Sequence, residues 1–383
     1  MAEGTAGDPG VATAADSVRG MPVAVRRIDQ FVPSYSAHDA IGNHVTQLRR
    51  LLRDAGYQSE IWYEHLDPRM AGDVRPYTEC DAAADPDRLI LYHASTHSGM
   101  ADWILAAAGG GQRIAVDYHN ITPASYFSAW EPRAARSMEL ARRQLAELAP
   151  VFSGAVADSE YNAIELAEFG ILGATACPIL LDTSDYHAPP DGDGVARWPG
   201  EPLWLFVGRI APNKCQHDVI AAFAVYRRLF APTARLAVIG APTSVRYKKQ
   251  LGDLVDELGL TGAVDLAGSV PFPELLAAFH LADVFVCLSE HEGFCVPVIE
   301  AMELGVPVVA YSAAAVTETV ADAGVLLVDK DPLQVAVAVH ELLDDAERRA
   351  ATIERGRLRA AEFSSEATSK RWLAEIDRLA KGV

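Results

Sequence analysis

Short apolar runs alternate with longer amphipathic segments along most of the 383-residue chain. Runs such as 89–92 and 284–288 are continuously apolar, which is typical of strands buried on both faces of a parallel sheet. Segments such as 41–55 repeat apolar residues every three or four positions, which predicts helices with one buried face. The alternation therefore predicts an α/β fold built from doubly wound parallel sheets.

The predicted elements fall into two series. The first has strands at 23–25 with 31–33, 60–63, 89–92, 114–116, 154–157 and 178–180, and helices at 41–55, 100–108 and 134–148. Segment 182–202, rich in Pro, Gly and Asp, interrupts the pattern and is predicted to be a linker. The second has strands at 204–207, 236–239, 264–266, 283–288, 306–310 and 325–327, and helices at 218–229, 247–258, 274–280, 299–304, 333–343, 345–362 and 365–379. Two such series predict two Rossmann-like domains facing each other across a cleft, where open α/β sheets bind ligands.

Charge and composition narrow the function classes. The formal net charge of −19 disfavours nucleic acid as a partner and argues weakly against docking on anionic lipid. No apolar run approaches the ~20 residues that span a bilayer. Residues 1–20 are rich in Ala, Gly and Asp and lack the features of a signal peptide, which predicts a disordered leader. Five scattered cysteines, an odd number in a large chain, favour reduced thiols and a cytoplasmic location.

The stretch 289–302 carries the most informative polar residues. Glu292 and Glu300 have seven residues between them, including Gly293 and Pro297, and lie between a predicted strand and a predicted helix. Pro297 suits the first turn of a helix because it lacks an N–H. Backbone N–H groups at a helix N-terminus attract anions. Two carboxylates beside an anion site suit a ligand that also offers hydroxyls, such as a nucleotide sugar.

Two cations follow the first strand of the second series. Arg209 and Lys214 lie in a short loop that begins at Gly208, which is itself predicted to be a donor-binding residue. Fixed cations here would stabilise the negative charge that builds on a departing diphosphate, and the planar arginine group can contact two phosphate oxygens. The alternative is a solvated pair of loop cations. The two glutamates and His119 also follow predicted strands, which predicts one shared site at the strand ends.

The spacing of Glu292 and Glu300 resembles the E-x7-E signature of retaining GT-B glycosyltransferases of family 4. The resemblance extends, more loosely in the N-terminal half, over 206–214, 300–310, 318–320, Gly324, 42–44 and 117–123. It implies transfer of a hexosyl group with retention of anomeric configuration. It also implies that the last helix crosses back onto the first domain, which divides the chain into a leader (1–20), an acceptor-binding domain (21–186 with 364–383) and a nucleotide-sugar-binding domain (187–363).

The resemblance also implies roles for individual residues. Glu292 is expected to bind the transferred sugar and Glu300 the ribose diol, although an acid in the first turn of a helix is the alternative for Glu300. His119 is expected to hydrogen-bond the donor sugar or to lie beside the acceptor, with a structural role as the alternative. Backbone N–H groups are expected to contact the sugar or distal phosphate from Gly293, Phe294 and Cys295.

Three further residues are predicted near the donor. Gly42 and Gly240 would let the backbone approach the phosphates, as glycine allows, with plain turns as the alternative. Val270 is predicted to lie against the nucleobase. No His, Asp or Cys cluster has metal-ligand spacing, and no Asp-x-Asp motif suggests a metal-bound diphosphate. Arg209 and Lys214 are therefore predicted to replace a metal ion, and no cofactor is expected.

The sequence thus predicts a metal-independent glycosyltransferase that uses a UDP- or GDP-linked sugar. The alternatives are an epimerase or phosphorylase of the same fold and a non-catalytic nucleotide-sugar binding protein. The acceptor is a glycan, a glycoside or a natural-product sugar, and the predicted acceptor loops contain aromatic residues that suit stacking or packing. No transmembrane segment and no nucleic-acid partner are predicted, while contact with a membrane surface and the oligomeric state stay open.

Overall fold

A computed structural model describes residues 25–37, 39–188, 197–199 and 201–382 of the chain. The predicted leader, 1–20, lies outside these residues, as do 189–196 of the predicted linker. The described residues form two parallel sheets, each with helices on its faces. This is the doubly wound, two-domain architecture that the alternation predicts.

The first sheet contains β1 (Arg27–Tyr35), β2 (Ile61–Leu66), β3 (Arg75–Pro76), β4 (Arg88–Ala94), β5 (Arg113–Tyr118), β6 (Gly154–Ala157) and β7 (Thr175–Ala176). Their order is β3-β2-β1-β4-β5-β6-β7, and neighbouring strands are parallel. Strand β4 is buried along its full length, and β1 and β5 along most of theirs. The continuous apolar runs therefore reflect burial on both faces of the sheet.

The second sheet contains β8 (Leu203–Val207), β9 (Arg235–Ile239), β10 (Val264–Gly268), β11 (Val284–Cys287), β12 (Val308–Tyr311) and β13 (Val325–Leu327). Their order is β10-β9-β8-β11-β12-β13, again parallel. The order reverses between β8 and β11, as it does between β1 and β4 in the first sheet. Such reversal points leave crevices at the carboxyl ends of the strands, where α/β proteins bind ligands.

The helices are α1 (Ala40–Asp54), α2 (Met100–Gly109), α3 (Pro132–Leu148), α4 (Glu160–Glu168), α5 (Gln216–Leu229), α6 (Val245–Glu257), α7 (Phe272–Leu281), α8 (Val296–Glu303), α9 (Val316–Val320), α10 (Pro332–Asp344), α11 (Ala346–Ala361) and α12 (Ser365–Lys381). In α1 the predicted apolar face is the buried one, since Val45, Leu48 and Leu52 are fully buried. Each such side chain stabilises the fold by about 1.5–3 kcal/mol. No described helix is long and apolar enough to cross a bilayer.

The structure corrects several element boundaries. The first strand begins at Arg27, so Val25 precedes it, and residues 23–24 lie outside the described part. Segment 178–180, predicted as a strand, is irregular chain whose apolar residues Ile179 and Leu180 are buried without sheet pairing. The periodicity does not predict β3, β7 and α9, which are too short to show a repeat. It does not predict α4 either, because polar Asn162 and Glu165 are buried there while Ile164 is exposed. Helix α4 does carry a local signal, its N-cap Ser159.

Helix α12 returns from the second domain and packs on the first sheet. Trp372 is fully buried, and its Nε1–H donates to the Pro178 carbonyl at 2.8 Å. Arg113, at the start of β5, donates to the carbonyls of Leu379 and Ala380 at 2.6 and 2.9 Å. These bonds satisfy carbonyls that the end of a helix leaves free. The last helix thus joins the core of the first domain.

The two domains contact each other across the ends of their strands. Ser244 Oγ, in the second domain, donates to Glu131 Oε1 of the first at 2.8 Å. The backbone N–H of Tyr161, in the first turn of α4, donates to Glu318 Oε1 at 3.3 Å. The crevice between the two strand-order reversals is therefore bridged by hydrogen bonds.

Candidate active site

The loops after β8 and β11 lie side by side where the strand order of the second sheet reverses. Asn213 joins them, because its Nδ2 donates to the His291 carbonyl at 3.0 Å and its own carbonyl accepts from the Glu290 N–H at 2.9 Å. Asn213 is buried, so these bonds are shielded from water. The loop that carries Lys214 is thereby held against the loop that carries Glu292.

Lys214 and Glu292 form an ion pair across these loops. Nζ of Lys214 donates to Oε2 of Glu292, and the two side chains are 17% and 8% exposed. In such a poorly solvated place a charged hydrogen bond is stronger than at the surface. Each charge also depends on the other for compensation. Two residues from separate sequence motifs therefore meet as the predicted shared site requires.

Arg209 stands at the end of β8 with an exposed side chain. Among the described residues its guanidinium has no hydrogen-bond or ion-pair partner, so its donors are free to meet a ligand. A Cβ on Gly240 would lie 2.0 Å from the Gly208 carbonyl oxygen, and Gly240 has a φ of 148°. Gly240 thus lets two strand ends pack closely and so positions Arg209, while contacts of Gly208 and Gly240 with phosphate stay predictions.

The Glu300 carboxylate, in α8, accepts a hydrogen bond from the hydroxyl of Tyr186. Tyr186 lies in the short 3-10 turn Ser184–His187, in the segment between the domains. Its ring stacks on Phe272 with the ring centroids 5.4 Å apart. Burial raises the pKa of Glu300, and the Tyr186 hydrogen bond opposes that rise. Tyr186 thus brings a stacked ring and a hydroxyl to Glu300, and contact of Glu300 with a ribose diol stays a prediction.

The turn after the first glutamate of the motif presses against the first domain. A Cβ on Gly293 would lie 2.7 Å from Cβ of Asn120, so this close approach requires glycine. The Phe294 carbonyl accepts from Thr319 Oγ1 at 2.6 Å, and Cys295 has a left-handed φ of 74° just before α8. The turn is fixed from both sides, and contact of its N–H groups with a sugar stays a prediction.

His119 lies inside a buried polar network of the first domain. Its side chain is fully buried, with Nδ1 2.9 Å from Asp158 Oδ1 and Nε2 2.9 Å from His93 Nδ1. His93 Nε2 lies 3.1 Å from Gln30 Oε1, and Asp117 Oδ2 lies 3.2 Å from His93 Nδ1 and 3.4 Å from His119 Nε2. Both ring nitrogens of His119 are engaged, so a direct bond to a substrate would require this network to rearrange.

The protonation of the network follows from Gln30. Its amide nitrogen donates to a backbone carbonyl, so its oxygen faces His93, which must carry its proton on Nε2. His93 Nδ1 then accepts from His119, which also donates from Nδ1 to Asp158. Burial opposes charge on His119, but Asp117 and Asp158 raise its pKa to about 9, whereas burial lowers the pKa of His93 to about 4. His119 is therefore an imidazolium at neutral pH.

The same network gathers residues of the metal-binding type, which their sequence spacing does not indicate. Ligand atoms of His44, His93, Asp117 and His119 lie within 4.8 Å of one another. His44 Nδ1 accepts from the Leu180 N–H at 3.0 Å, so its Nε2 carries the proton donated to Asp117 at 3.1 Å. A protonated nitrogen does not coordinate a metal ion. The group forms a hydrogen-bond network in which Asp117 Oδ1 has no partner among the described residues, and the expectation of no metal stays a prediction.

Gly42 and Val270 are the remaining predicted donor residues. A Cβ on Gly42, in the first turn of α1, would lie 2.2 Å from the Ser36 carbonyl oxygen, so glycine here lets the loop after β1 pack on the helix. Val270 is partly buried after β10 and packs on the core of the second domain. Their contacts with phosphate and nucleobase stay predictions.

The structure brings four residues to the candidate site that are not among the predicted site residues: Tyr186, Lys330, Asn162 and His291. Lys330 Nζ lies 2.6 Å from carboxylate oxygens of both Asp218 and Glu290, and so supports the loop that carries the motif. The first three lie outside the motifs, and only tertiary contacts reveal them. His291 directly precedes Glu292, so its place in the motif is a signal that sequence reading had available.

Comparisons with known proteins relate the second domain to a described family. Residues 195–359 match the family described as Glycosyl transferases group 1. A D-inositol 3-phosphate glycosyltransferase of Thermobispora bispora is 35% identical over 179 residues, which are 45% of this chain and 42% of that protein. A glycogen synthase of Mycobacterium tuberculosis is 33% identical over 173 residues, 42% of this chain and 41% of that protein. The chain thus spans less than half the length of the curated relatives it matches.

Solved structures extend the likeness to most of the chain. HepE of Anabaena, solved in complex with UDP and glucose, has a TM-score of 0.69 and 14% identity over 92% of this chain and 99% of that one. Sucrose-phosphate synthase of Thermosynechococcus elongatus has a TM-score of 0.69 and 19% identity over the same shares. At such identities the likeness concerns the fold, and it confirms the predicted fold class. The chain therefore has the GT-B fold of solved glycosyltransferases, and residues 195–359 form a domain of the group 1 glycosyltransferase type.

Proposed function

We propose that the protein moves a hexosyl group from a nucleoside-diphosphate sugar to an acceptor hydroxyl, as a retaining GT-B enzyme of family 4. The observation that carries the proposal is the Lys214–Glu292 ion pair at the strand-order reversal of the second sheet. It unites a cation and a carboxylate from two separate motifs at the edge where α/β proteins bind ligands. The group 1 match over the same half of the chain supports it.

The site residues have complementary roles in the departure of the diphosphate. Lys214 and the exposed Arg209 stabilise charge on the leaving oxygen, an effect of about 3 kcal/mol for a well-placed donor. Glu292 accepts hydrogen bonds from hydroxyls of the hexosyl group, and Glu300 accepts them from the ribose diol. One carboxylate can accept two such bonds. The departing phosphate oxygen takes the proton of the acceptor hydroxyl while the new bond forms on the same face, so the configuration is retained.

The donor is UDP- or GDP-linked. A UDP-linked sugar is the first choice because HepE, which shares the fold, was solved with UDP and glucose. Arg209 and Lys214 supply the positive charge that a divalent ion would otherwise provide, so no metal takes part. Transfer in the presence of EDTA tests this, and a strict requirement for added Mg²⁺ or Mn²⁺ would contradict it.

Transfer assays test the function directly. The chain is incubated with UDP-glucose, GDP-mannose or ADP-glucose, and with D-inositol 3-phosphate or glycogen as acceptor. We expect nucleotide release and an α-linked product, which NMR identifies. Glu292→Gln should lower the rate about 10²–10³-fold, as loss of a transition-state contact does. Glu257→Gln, on the exposed end of α6, is the matched control and should be fully active. A β-linked product would contradict retention, and a fully active Glu292→Gln variant would contradict the site.

The same assays separate the alternatives. An epimerase of this fold changes the donor when no acceptor is present. A phosphorylase cleaves a glycosidic bond of a glycan with inorganic phosphate, and it releases a sugar 1-phosphate and the shortened glycan. A non-catalytic binding protein gains thermal stability with a nucleotide sugar, as any ligand of the folded state confers, but releases no nucleotide.

A further inference from the structure

His291 is buried, yet its ring nitrogens have no hydrogen-bond partner among the described residues. Its exposed fraction is 4%, and both Nδ1 and Nε2 are unbonded. The other fully buried histidines engage both ring nitrogens, namely His44, His93 and His119. Native proteins rarely leave buried polar atoms unbonded, and those that are left call for a functional explanation. The contrast singles out His291.

The ring of His291 lies between the two domains. Its neighbours are the rings of Tyr126 and Tyr161, with centroids 5.8 and 5.9 Å away, and both tyrosines belong to the first domain. The His291 carbonyl is held by Asn213 Nδ2 at 3.0 Å, which fixes the residue immediately before Glu292. The unbonded ring therefore faces the first domain rather than the core of its own.

Asn162 supplies a second unbonded group, from the opposite domain. It is fully buried in the first turn of α4, and its Nδ2 has no partner among the described residues. Its Oδ1 accepts from Asn120 Nδ2 at 2.9 Å, which sets the orientation of the amide. Nδ2 lies 3.1 Å from the position where Gly293 would carry a Cβ. Free polar atoms from both domains thus flank the turn that carries Glu292.

The chemistry of these groups matches a hydroxylated ring. Burial lowers the pKa of His291, so the neutral imidazole offers one N–H donor and one acceptor nitrogen. A hydroxyl likewise donates and accepts, and the Asn162 amide adds a second donor. Tyr126 and Tyr161 add aromatic rings with an apolar body and a polar tip, which suit a sugar face. A phosphate would instead call for unpaired cations, whereas the nearby Lys214 and Arg142 are paired with Glu292 and Glu165.

We propose that His291 and Asn162 bind hydroxyl groups of the acceptor, a sugar or cyclic polyol, and hold it beside Glu292 once the domains separate to admit it. The acceptor is assigned because Asn162 and both tyrosines belong to the first domain, whereas the residues proposed to contact the diphosphate and ribose belong to the second. The inference rests on the proposed function and adds to it the residues that position the acceptor.

The variant His291→Phe tests the proposal, because it keeps an aromatic ring of similar size and removes both polar atoms. We expect an unchanged or higher melting temperature, since unbonded polar atoms leave a buried site. With UDP-glucose and whichever of D-inositol 3-phosphate and glycogen accepts glucose, the acceptor KM should rise about tenfold, the effect of one lost hydrogen bond. The Kd for UDP-glucose should stay within about twofold of the wild-type value, which is a small change compared with the expected rise in the acceptor KM.

Further variants separate positioning from packing. His291→Gln keeps one donor and one acceptor and should restore part of the acceptor affinity. His340→Phe, in α10, replaces a histidine stacked on Phe230 with centroids 4.1 Å apart and should leave the acceptor KM unchanged. Asn162→Ala should also raise the acceptor KM, as His291→Phe does.

Three outcomes overturn the inference and differ from one another. An unchanged acceptor KM in His291→Phe removes the residue from acceptor binding, even if the melting temperature rises. A weaker Kd for UDP-glucose with an unchanged acceptor KM assigns it to the donor instead. A wild-type chain that transfers no sugar from any of the donors defeats the proposed function itself, and the inference with it.

Discussion

The hydroxyl of Tyr186 donates a hydrogen bond to the carboxylate of Glu300. A residue of the segment between the domains is therefore bonded to the carboxylate that is proposed to bind the donor ribose. The Tyr186 ring is held in place by stacking on Phe272. A ribose diol must therefore displace the phenol hydroxyl or share the carboxylate with it. This bond couples the linking segment to the proposed nucleotide site.

Tyr186→Phe tests whether the phenol competes with the donor. The substitution keeps the stacked ring and frees the carboxylate of Glu300. A hydrogen bond to a charged group contributes about 1.5–3 kcal/mol, so Kd for UDP-glucose should fall about tenfold. Isothermal titration calorimetry measures it, with Tyr226→Phe, buried elsewhere in the second domain, as the control. Weaker binding in Tyr186→Phe would mean that the tyrosine supports the ribose instead.

The Lys214–Glu292 pair should show strong coupling in a double-mutant cycle. Each charge is compensated by the other in a poorly solvated site, so Lys214→Met and Glu292→Gln should each lower the free energy of unfolding by about 1–3 kcal/mol. The double variant should lose less than the sum of the two. Urea denaturation measures all three. Strict additivity would show that the pair does not interact in solution.

His119 should make the stability of the fold depend on alkaline pH. Its pKa in the folded chain is raised to about 9, above the ordinary ~6.5 of a histidine. The stabilisation is therefore complete below pH ~6.5 and is lost as the pH rises through 9, a change of about 3 kcal/mol in the free energy of unfolding. Urea denaturation at intervals between pH 6 and 10 should follow this decline.

At acid pH, stability should fall as the pH decreases, and His93 rather than His119 should cause the fall. Burial lowers the pKa of His93 to about 4, so its contribution is present above pH ~6.5 and is lost as the pH falls toward 4. Stability should therefore be highest near neutral pH. His119→Gln removes the group that titrates at alkaline pH and should remove the decline in stability there. If the free energy of unfolding of this variant still fell as steeply at alkaline pH, the assignment of that decline to His119 would be wrong.

Gly240→Ala should damage both stability and activity. The added Cβ would lie 2.0 Å from the Gly208 carbonyl at a left-handed φ, so we expect a loss of about 2–4 kcal/mol in the free energy of unfolding and a lower kcat through displacement of Arg209. Gly252→Ala in α6, where nothing lies within 4 Å of the new Cβ, is the control and should stabilise by up to about 1 kcal/mol. Thermal unfolding and transfer rates measure both. Equal stability of the two variants would contradict the packing contact.

Much of the architecture follows from short-range pattern. Strand β6 at 154–157 and strand β13 at 325–327 begin and end where the pattern predicts. Prediction fails where apolar residues are buried without sheet pairing, as at 178–180, because hydropathy reports burial and not hydrogen bonding. It also fails for α9, which is too short to repeat, and for α4, which buries polar Asn162 and Glu165 and exposes Ile164.

The sequence by itself determined the order of strands and helices and the two polar motifs, because both depend on spacing along the chain. Only the tertiary structure decided which polar groups meet. Lys214 pairs with Glu292 across 78 positions, and Tyr186 bonds to Glu300 across 114. It also decided that His119 lies in a buried network, while both ring nitrogens of His291 have no partner in the part of the chain that the structure describes. Hydrogen bonds and ion pairs act over a few ångströms, and no local pattern contains the distances that the docking of two domains creates.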